Sequence, residues 1–521
     1  MDKDKRYSLF LISPAQKYVN YPAHTELSRI FGKKRFMIPL ALPVIAALTP
    51  DNYDIKIIDE EIEPIPENAT PDIVGITTLA STSTRAFQIA DNYRKKGIPV
   101  VMGGAYASYR VEEALKHADS IVVGEAENNW KQCLADFEKG ELKPVYTCDT
   151  FCDYSEAPLP RWDLVPMNKI FQAAVQVSRG CPFNCDFCIV SQTFGRKMRY
   201  RNIDNVVDEI SRLPSKYVFF VDDNLTMNHK YVRELMQRIQ PLHISWGCMA
   251  SIDIANDDTL LTEMADAGCF NILVGFESLN PQSLDETHKK HNKGASIYEE
   301  AIRKIHSHGI HINASFIVGF DNDTAEEFDR IFDFTLKNSL PNINLHILSA
   351  TPGTRLYDKM QAEGRMYPHD FAMNAGHFPV LHYMKMSQSE IFEKYMQTIA
   401  RLYSFDTILR KAKQLFGNGN FAKPGADIST GLKFRLMAII IGNFVFTTDK
   451  NRRKLLFFML RNIREGKIAK DRAFAFMLSM LGYHRHVQKH LRRMDEYRNL
   501  IKPYDKGAFE SFRLQHSGLE F

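Results

Sequence analysis

Twice along the chain, short runs rich in Val and Ile alternate with amphipathic helical stretches, and this repeat limits the folds available. In the first series strands are expected at Tyr7–Ile12, Asp54–Ile58, Asp72–Thr77, Pro99–Met102 and Ser120–Val123, with helices such as Ser83 to Arg94 between them. Five strands fed by helices make an open parallel sheet, which takes ligands at the carboxyl ends of its strands. Those ends read Ser13, Asp59, Thr77, Thr78, Gly103, Gly104, Gly124 and Glu125. Singly, such residues serve turns. As a rim they form a cradle for a flat or phosphate-bearing ligand. The chain has no GxGxxG, which argues against a dinucleotide. The second series begins at Gln172, with strands expected at Ala173–Val177, Tyr217–Val221, Ile244–Cys248, Ile272–Phe276, Ile312–Val318 and Ile343–Leu348. Six units fall short of the eight of a closed barrel, so an open, partial barrel is expected, with its site at the carboxyl-terminal rim.

Between the two series, residues 141–172 carry Pro144, Pro158, Pro160 and Pro166 and read as a linker. Strand signals fade after about residue 355, and residues beyond 387 look helical. The expected division is 1–140, linker 141–172, 173–386 and a helical extension 387–521. Lys and Arg number 66 against 62 Asp and Glu, a net charge of +4, too balanced for a nucleic-acid binder. No apolar run reaches the ~18 residues of a membrane span. The N-terminus shows no signal-peptide pattern, and a cytoplasmic location is expected. Between Asn451 and Leu500 there are 13 Lys and Arg against 4 Asp and Glu, interleaved with Phe457, Phe458, Phe474, Phe476, Met477 and Met480. This is either a solvated basic cap or a face that meets anionic lipid, placing the protein at the periphery of the inner membrane face.

The cysteines are unevenly spread. None of the eight precedes Cys133, and three fall together as Cys181, Cys185 and Cys188, a CxxxCxxC that follows the first strand of the second series. Soft thiolates at this spacing suit an iron–sulfur cluster, and three of them on a four-iron cubane leave one iron open to a substrate or cosubstrate. Structural zinc asks for four ligands in paired spacing. Cys148 and Cys152 are too few for a metal site of their own.

This motif, with Phe187 before the last cysteine and at the head of six βα units, resembles that of the radical S-adenosylmethionine (SAM) enzymes. The resemblance implies that Cys181, Cys185 and Cys188 hold a 4Fe-4S cluster whose open iron binds SAM, and that Phe187 packs near it. Reductive cleavage of SAM would then yield a 5′-deoxyadenosyl radical. Asp222, Asp223 and Asn224 stand where relatives carry a GGE-like element for the methionine amino group. Glu277 and Ser278 stand where relatives place a polar contact to the ribose or methionine, and Gly319 lies at the adenine wall. The preceding α/β domain is similar to the cobalamin-binding domain of one subfamily, which implies cobalamin on the rim of Thr77, Thr78, Gly103, Gly104, Gly124 and Glu125. Neither His24 nor His117 lies in a DxHxxG, so the cobalt is expected to lack a protein His.

The tail resembles that of the subgroup with hopanoid methylases, with magnesium-protoporphyrin cyclases and bacteriochlorophyllide methylases as more distant or comparable relatives. Taken together, the resemblance implies an α/β chain with an open Rossmann-like cobalamin-binding domain, a partial (β/α)6 TIM-type radical SAM barrel and a helical C-terminal extension. It implies a cobalamin-dependent methyltransferase acting on an unactivated carbon of a lipid, isoprenoid or tetrapyrrole. A one-electron donor such as flavodoxin or ferredoxin would feed it. An oxidative cyclase or C–C bond-forming enzyme with the same cofactors is the alternative. A non-catalytic cobalamin sensor would have no need of the three cysteines.

Overall fold

The computed structural model describes residues 5–18, 24–289, 295–417, 419–421 and 430–504. The first sheet has six strands: β1 (Tyr7–Ser13), β2 (Tyr53–Asp59), β3 (Ile73–Thr77), β4 (Val100–Gly103), β5 (Ser120–Val122) and β6 (Val145–Tyr146). All are parallel, in the order β2-β1-β3-β4-β5-β6. The order reverses between β1 and β3, and at such a switch point the outgoing loops part to leave a crevice. The inner strands β3 and β4 are near-continuous apolar runs because helices cover both faces, and Ile73, Val74 and Ile76 are all buried, whereas the edge strand β2 carries Asp54 and Lys56. The sixth strand lies inside the stretch that reads as a linker. Ile121 N–H donates to Pro144 O at 2.8 Å and Val123 N–H to Tyr146 O at 2.9 Å. Two residues are too few to carry a periodicity.

The second sheet begins with β7 (Ala173–Val175). A short antiparallel pair follows, β8 (Ser178–Arg179) with β9 (Arg199–Tyr200). Then come β10 (Tyr217–Phe220), β11 (Ser245–Met249), β12 (Cys269–Glu277), β13 (His311–Val318) and β14 (Asn342–Ile347). The order is β14-β13-β12-β11-β10-β7, all parallel, as expected for a barrel two units short of closure. Along β13 burial alternates strictly. Phe316 stacks on Phe276 with ring centroids 5.4 Å apart, and Tyr298 and Phe334 of the covering helices pack edge-on against them. Asn313, Ser315 and Ile317 take the other face.

The C-terminal part is helical, from Gln388–Leu402 through Met494–Ile501; residues 505–521 lie outside the described residues. It closes the amino end of the barrel: Phe421 stacks on His311 at 4.4 Å, and Arg472 Nη1 donates to Gly309 O at 2.6 Å. Much of the aromatic set between 451 and 500 serves this packing. Phe476, Met477 and Met480 are buried and Phe458 and Phe474 partly so, whereas Phe457 is exposed. Arg452 also turns inward, over the Phe405 ring at 4.5 Å.

The open edge at β14 is covered rather than left bare. Tyr403 Oη accepts from Ile343 N–H at 2.8 Å and donates to Ile343 O at 2.7 Å, with its ring stacked on Tyr483. Tyr403→Phe keeps the stack and strands two buried backbone groups. Chemical denaturation should show a loss of about 1–3 kcal/mol. An unchanged midpoint would mean that water reaches this edge.

Candidate functional site

The cysteine loop leaves β8 and returns through β9, so its neck is a two-residue antiparallel ladder. Gly180 opens the loop at φ +96°, and a Cβ there would stand 2.5 Å from Lys197 O; only glycine fits. Cys181 N–H donates to Gly195 O at 3.2 Å, and Cys188 N–H to Cys185 O at 3.1 Å. Asp186 pins the far side, pairing with Arg355 at 2.7 Å and His288 at 2.9 Å. The three cysteines form no disulfide and are part-exposed. Burial raises all three thiols, Cys185 to about 11 and Cys188 to about 12; Cys181 raises Cys185 further, and both raise Cys188. Loading a metal there displaces protons. Among the described residues, no three His, Cys, Asp or Glu gather as they would around a single ion; a cluster is wider than an ion and holds its thiolates apart. Three soft thiols on one loop, none of them in a disulfide, fit an iron–sulfur cluster.

The loop after β10 divides its polar residues. Asp222 is fully buried and accepts from the backbone N–H of Val177 and Ser178 and from Ser178 Oγ, so it ties the base of the cysteine loop to the barrel. Asn224 binds Ser251 and Thr226. Asp223 differs: its Oδ2 is buried without a partner, and its charge bears on both Cys181 and Cys188. Burial, then the neighbouring Asp222, pushes Asp223 up to about 7. An orphaned carboxylate oxygen beside the cluster loop fits an ammonium group.

At the end of β12, Glu277 adopts φ +62°, a conformation a non-glycine residue takes only when its surroundings enforce it. Lys289 enforces it, reaching Glu277 Oε1 at 2.5 Å and Gly275 O at 3.0 Å. The same ammonium lies 5.9 Å from the Phe187 ring centroid and close enough to Cys185 to favour its thiolate. Ser278 Oγ accepts from Asn280 N–H. Gly319 N–H donates to Asp323 at 3.0 Å, and the following Phe320 faces Phe187 at 6.3 Å. The cysteines, Asp223, Glu277, Phe187 and the Gly319 turn are thus brought together, whereas Asp222, Asn224 and Ser278 spend their bonds on the scaffold.

On the first sheet, Thr78 Oγ1 donates to Gly103 O at 2.8 Å and accepts from Ala107 N–H at 3.0 Å. Gly104 at φ +92° lies over it, and a Cβ would stand 2.6 Å from Thr78 O. Thr77, Gly103 and Gly124 complete a bare ledge. No atom lies within 4 Å of where a Gly124 Cβ would stand. A ledge of backbone at the carboxyl ends of β3, β4 and β5 fits a flat ring such as cobalamin. His117 sits at the opposite end, before β5, bonded to Asp91 at 2.9 Å and stacked on Phe87 at 4.3 Å. The His24 side chain lies outside the described residues.

Glu125 faces neither ledge nor solvent. Its carboxylate takes Arg179 at 3.0 Å, Arg199 at 2.8 Å and the Cys152 N–H at 2.8 Å, while Glu127 takes Arg179 at 2.7 Å. Arg179 and Arg199 are register partners in the β8–β9 ladder, the neck of the cysteine loop. Burial works against the charge of Glu125, yet the bonds from Arg199 and the charge of Arg179 hold its carboxyl below the usual range. Tyr109 Oη, one helix beyond Gly104, meets Thr193 Oγ1 of the cysteine loop at 3.1 Å. The carboxyl rim of the first sheet is therefore docked on the loop that carries the thiols. Sequence reasoning missed Arg179, Arg199 and Lys289, because a lone basic residue carries no spacing signal.

Two outcomes test this site. Cys185→Ala should lose the iron and the visible absorbance of the reconstituted protein, and with them 5′-deoxyadenosine formation; full iron retention would remove Cys185 from the ligand set. Glu125→Gln leaves Arg199 without its carboxylate and Arg179 with Glu127 alone, and should cost about 3–5 kcal/mol. Hydrogen exchange should rise across residues 178–200, and Glu125→Asp should restore most of the protection. Equal exchange in wild type and Glu125→Gln would show that the ion pairs do not hold the neck.

Family models match the chain in three stretches: the Radical SAM superfamily over residues 175–335, a B12 binding domain over 34–134, and a Domain of unknown function (DUF4070) over 354–499. The chain is similar to Bacteriochlorophyllide d C-8(2)-methyltransferase of Chlorobaculum tepidum, 30% identical over 394 residues that cover 71% of this chain and 86% of that one. It is similar to Hopanoid C-2 methylase of Rhodopseudomonas palustris, 28% identical over 392 residues that cover 72% and 73%. In fold it resembles the radical S-adenosylmethionine methyltransferase TsrM from Kitasatospora setae, with a TM-score of 0.60 at 13% identity over 94% of this chain and 100% of that one. Domain order and kinship agree: the chain belongs to the cobalamin-dependent radical SAM methyltransferases, enzymes of a 4Fe-4S cluster, SAM and cobalamin.

Proposed function

We propose that the enzyme transfers a methyl group to an unactivated carbon of an apolar substrate of the lipid, isoprenoid or tetrapyrrole class. The observation that supports the methyl transfer is the docking of the two rims through Glu125, Arg179, Arg199, Tyr109 and Thr193, which sets the Thr77–Gly103–Gly124 ledge, read as the cobalamin seat, against the cysteine loop, read as the cluster seat. Relatives named for a hopanoid and a bacteriochlorophyllide support the apolar class. When bound, the cluster and SAM would supply hydrogen abstraction and cobalamin the methyl group; overall, two SAM, R–H and two electrons from a one-electron donor give R–CH3, S-adenosylhomocysteine, methionine and 5′-deoxyadenosine, which carries the hydrogen removed.

The residues of the chain orient these groups. The free oxygen of Asp223 takes the ammonium of SAM beside Cys181 and Cys188. The Lys289–Glu277 pair next to Cys185 offers one charge of each sign to the amino-acid end. Phe187 and Phe320 give an apolar wall. No side chain is asked to remove a proton, since the target C–H is not acidic.

The test is anaerobic incubation of the reconstituted holoenzyme with lipid and pigment extracts and SAM carrying a deuterated methyl group. The expected product gains one labelled methyl and partitions into organic solvent. Loss of two hydrogens without label would instead indicate cyclisation, and label appearing only in water-soluble products would overturn the apolar class.

A further inference from the structure

The C-terminal region carries an apolar surface that nothing in the described structure covers. Among the described residues, seven of the eleven exposed large hydrophobic side chains fall between residues 434 and 460. Four lie at helical spacing along Thr430–Ile440 and its π-helical continuation Ile441–Val445: Phe434, Met437, Ile441 and Val445. The opposite face of the same segment, Leu436, Ile440 and Phe444, is buried against the protein. The segment is therefore apolar on two faces, and one of them meets solvent, the reverse of an ordinary surface helix. Phe446, at the turn that follows, is 78% exposed. On the next helix, Lys450–Arg464, the outward row combines Phe457 and Leu460 with Lys450, Arg453, Lys454 and Arg464.

We propose that this helical hairpin docks on the surface of an anionic lipid bilayer, with the Phe434–Val445 stripe and Phe446 entering the headgroup boundary and the basic row lying against lipid phosphates. Charge complementarity selects this occupant, because exposed apolar side chains rimmed by cations of one sign match a surface that is apolar within and negative outside. No helix of the described residues is long and apolar enough to cross a membrane, and a single solvent-facing apolar stripe on one short segment, its other face held by the protein, suits burial about 5–10 Å deep, parallel to the plane. The proposal goes beyond the apolar-substrate reading and does not depend on it.

Flotation of the full-length holoenzyme with vesicles tests it. Vesicles of phosphatidylcholine with phosphatidylglycerol should carry the protein upward at low salt, vesicles of phosphatidylcholine alone should carry far less, and added salt should release it. Replacing Lys450, Arg453 and Lys454 by Gln should weaken binding by about two orders of magnitude. Phe446→Ser with Phe457→Ser should weaken it by about tenfold or more. Iron content and substrate-free cleavage of SAM should stay at wild-type level in both, which shows that the variants fold. Absence of flotation, or flotation indifferent to the Phe changes, overturns the proposal. So does a dimer in sedimentation that the Phe changes split, since the stripe would then be a contact between copies. The vesicles hold no substrate, so a failed methylation assay leaves this result standing, and the reverse.

Discussion

Two arginines from facing strands meet at the neck of the cysteine loop, and a carboxylate from another domain makes that tolerable. Arg179 and Arg199 are cross-strand neighbours, a placement in which like charges repel, and both are largely buried. Glu125 and Glu127 neutralise them from the first sheet. The loop that carries Cys181, Cys185 and Cys188 is thus fully held only when the first domain is docked. One set of charges links the geometry of the cysteine loop to the position of the Thr77–Gly103–Gly124 ledge on the first sheet.

Within the barrel, adjacent carboxylates have different tasks for a simple reason of direction. Asp222 turns back toward β7 and β8 and is saturated by N–H and O–H donors, while Asp223 turns toward the thiols and keeps an oxygen without a partner. Glu277 reaches its place only through a left-handed backbone, held there by Lys289. The site is assembled from strand ends in which one residue secures the scaffold and its neighbour lies near the thiols.

The helical tail shows the same division on a larger scale. Its inward side chains, Phe421, Phe476 and Arg472 among them, close the foot of the barrel, and Tyr403 seals the edge of β14. Its outward apolar side chains between 434 and 460 are left exposed among the described residues. Counting aromatic and basic residues along 451–500 marks the region but cannot assign them, because helical neighbours with the same composition face core and solvent in turn.

The sequence by itself determined the two βα series, the partial barrel and the three-cysteine loop, because these rest on local periodicity and short spacing. The strand ends at Thr77, Gly103, Glu277 and Gly319 were legible for the same reason. Only the tertiary structure decided that Glu125 faces Arg179 and Arg199 rather than the ledge, that Asp223 and not Asp222 keeps a free oxygen, that Lys289 joins Glu277, and that the exposed apolar stripe begins at Phe434. Each of these depends on which residues distant in the chain meet, and on which face of an element they meet. An isolated charge or a single buried oxygen leaves no periodic trace, so its partner is set by packing alone.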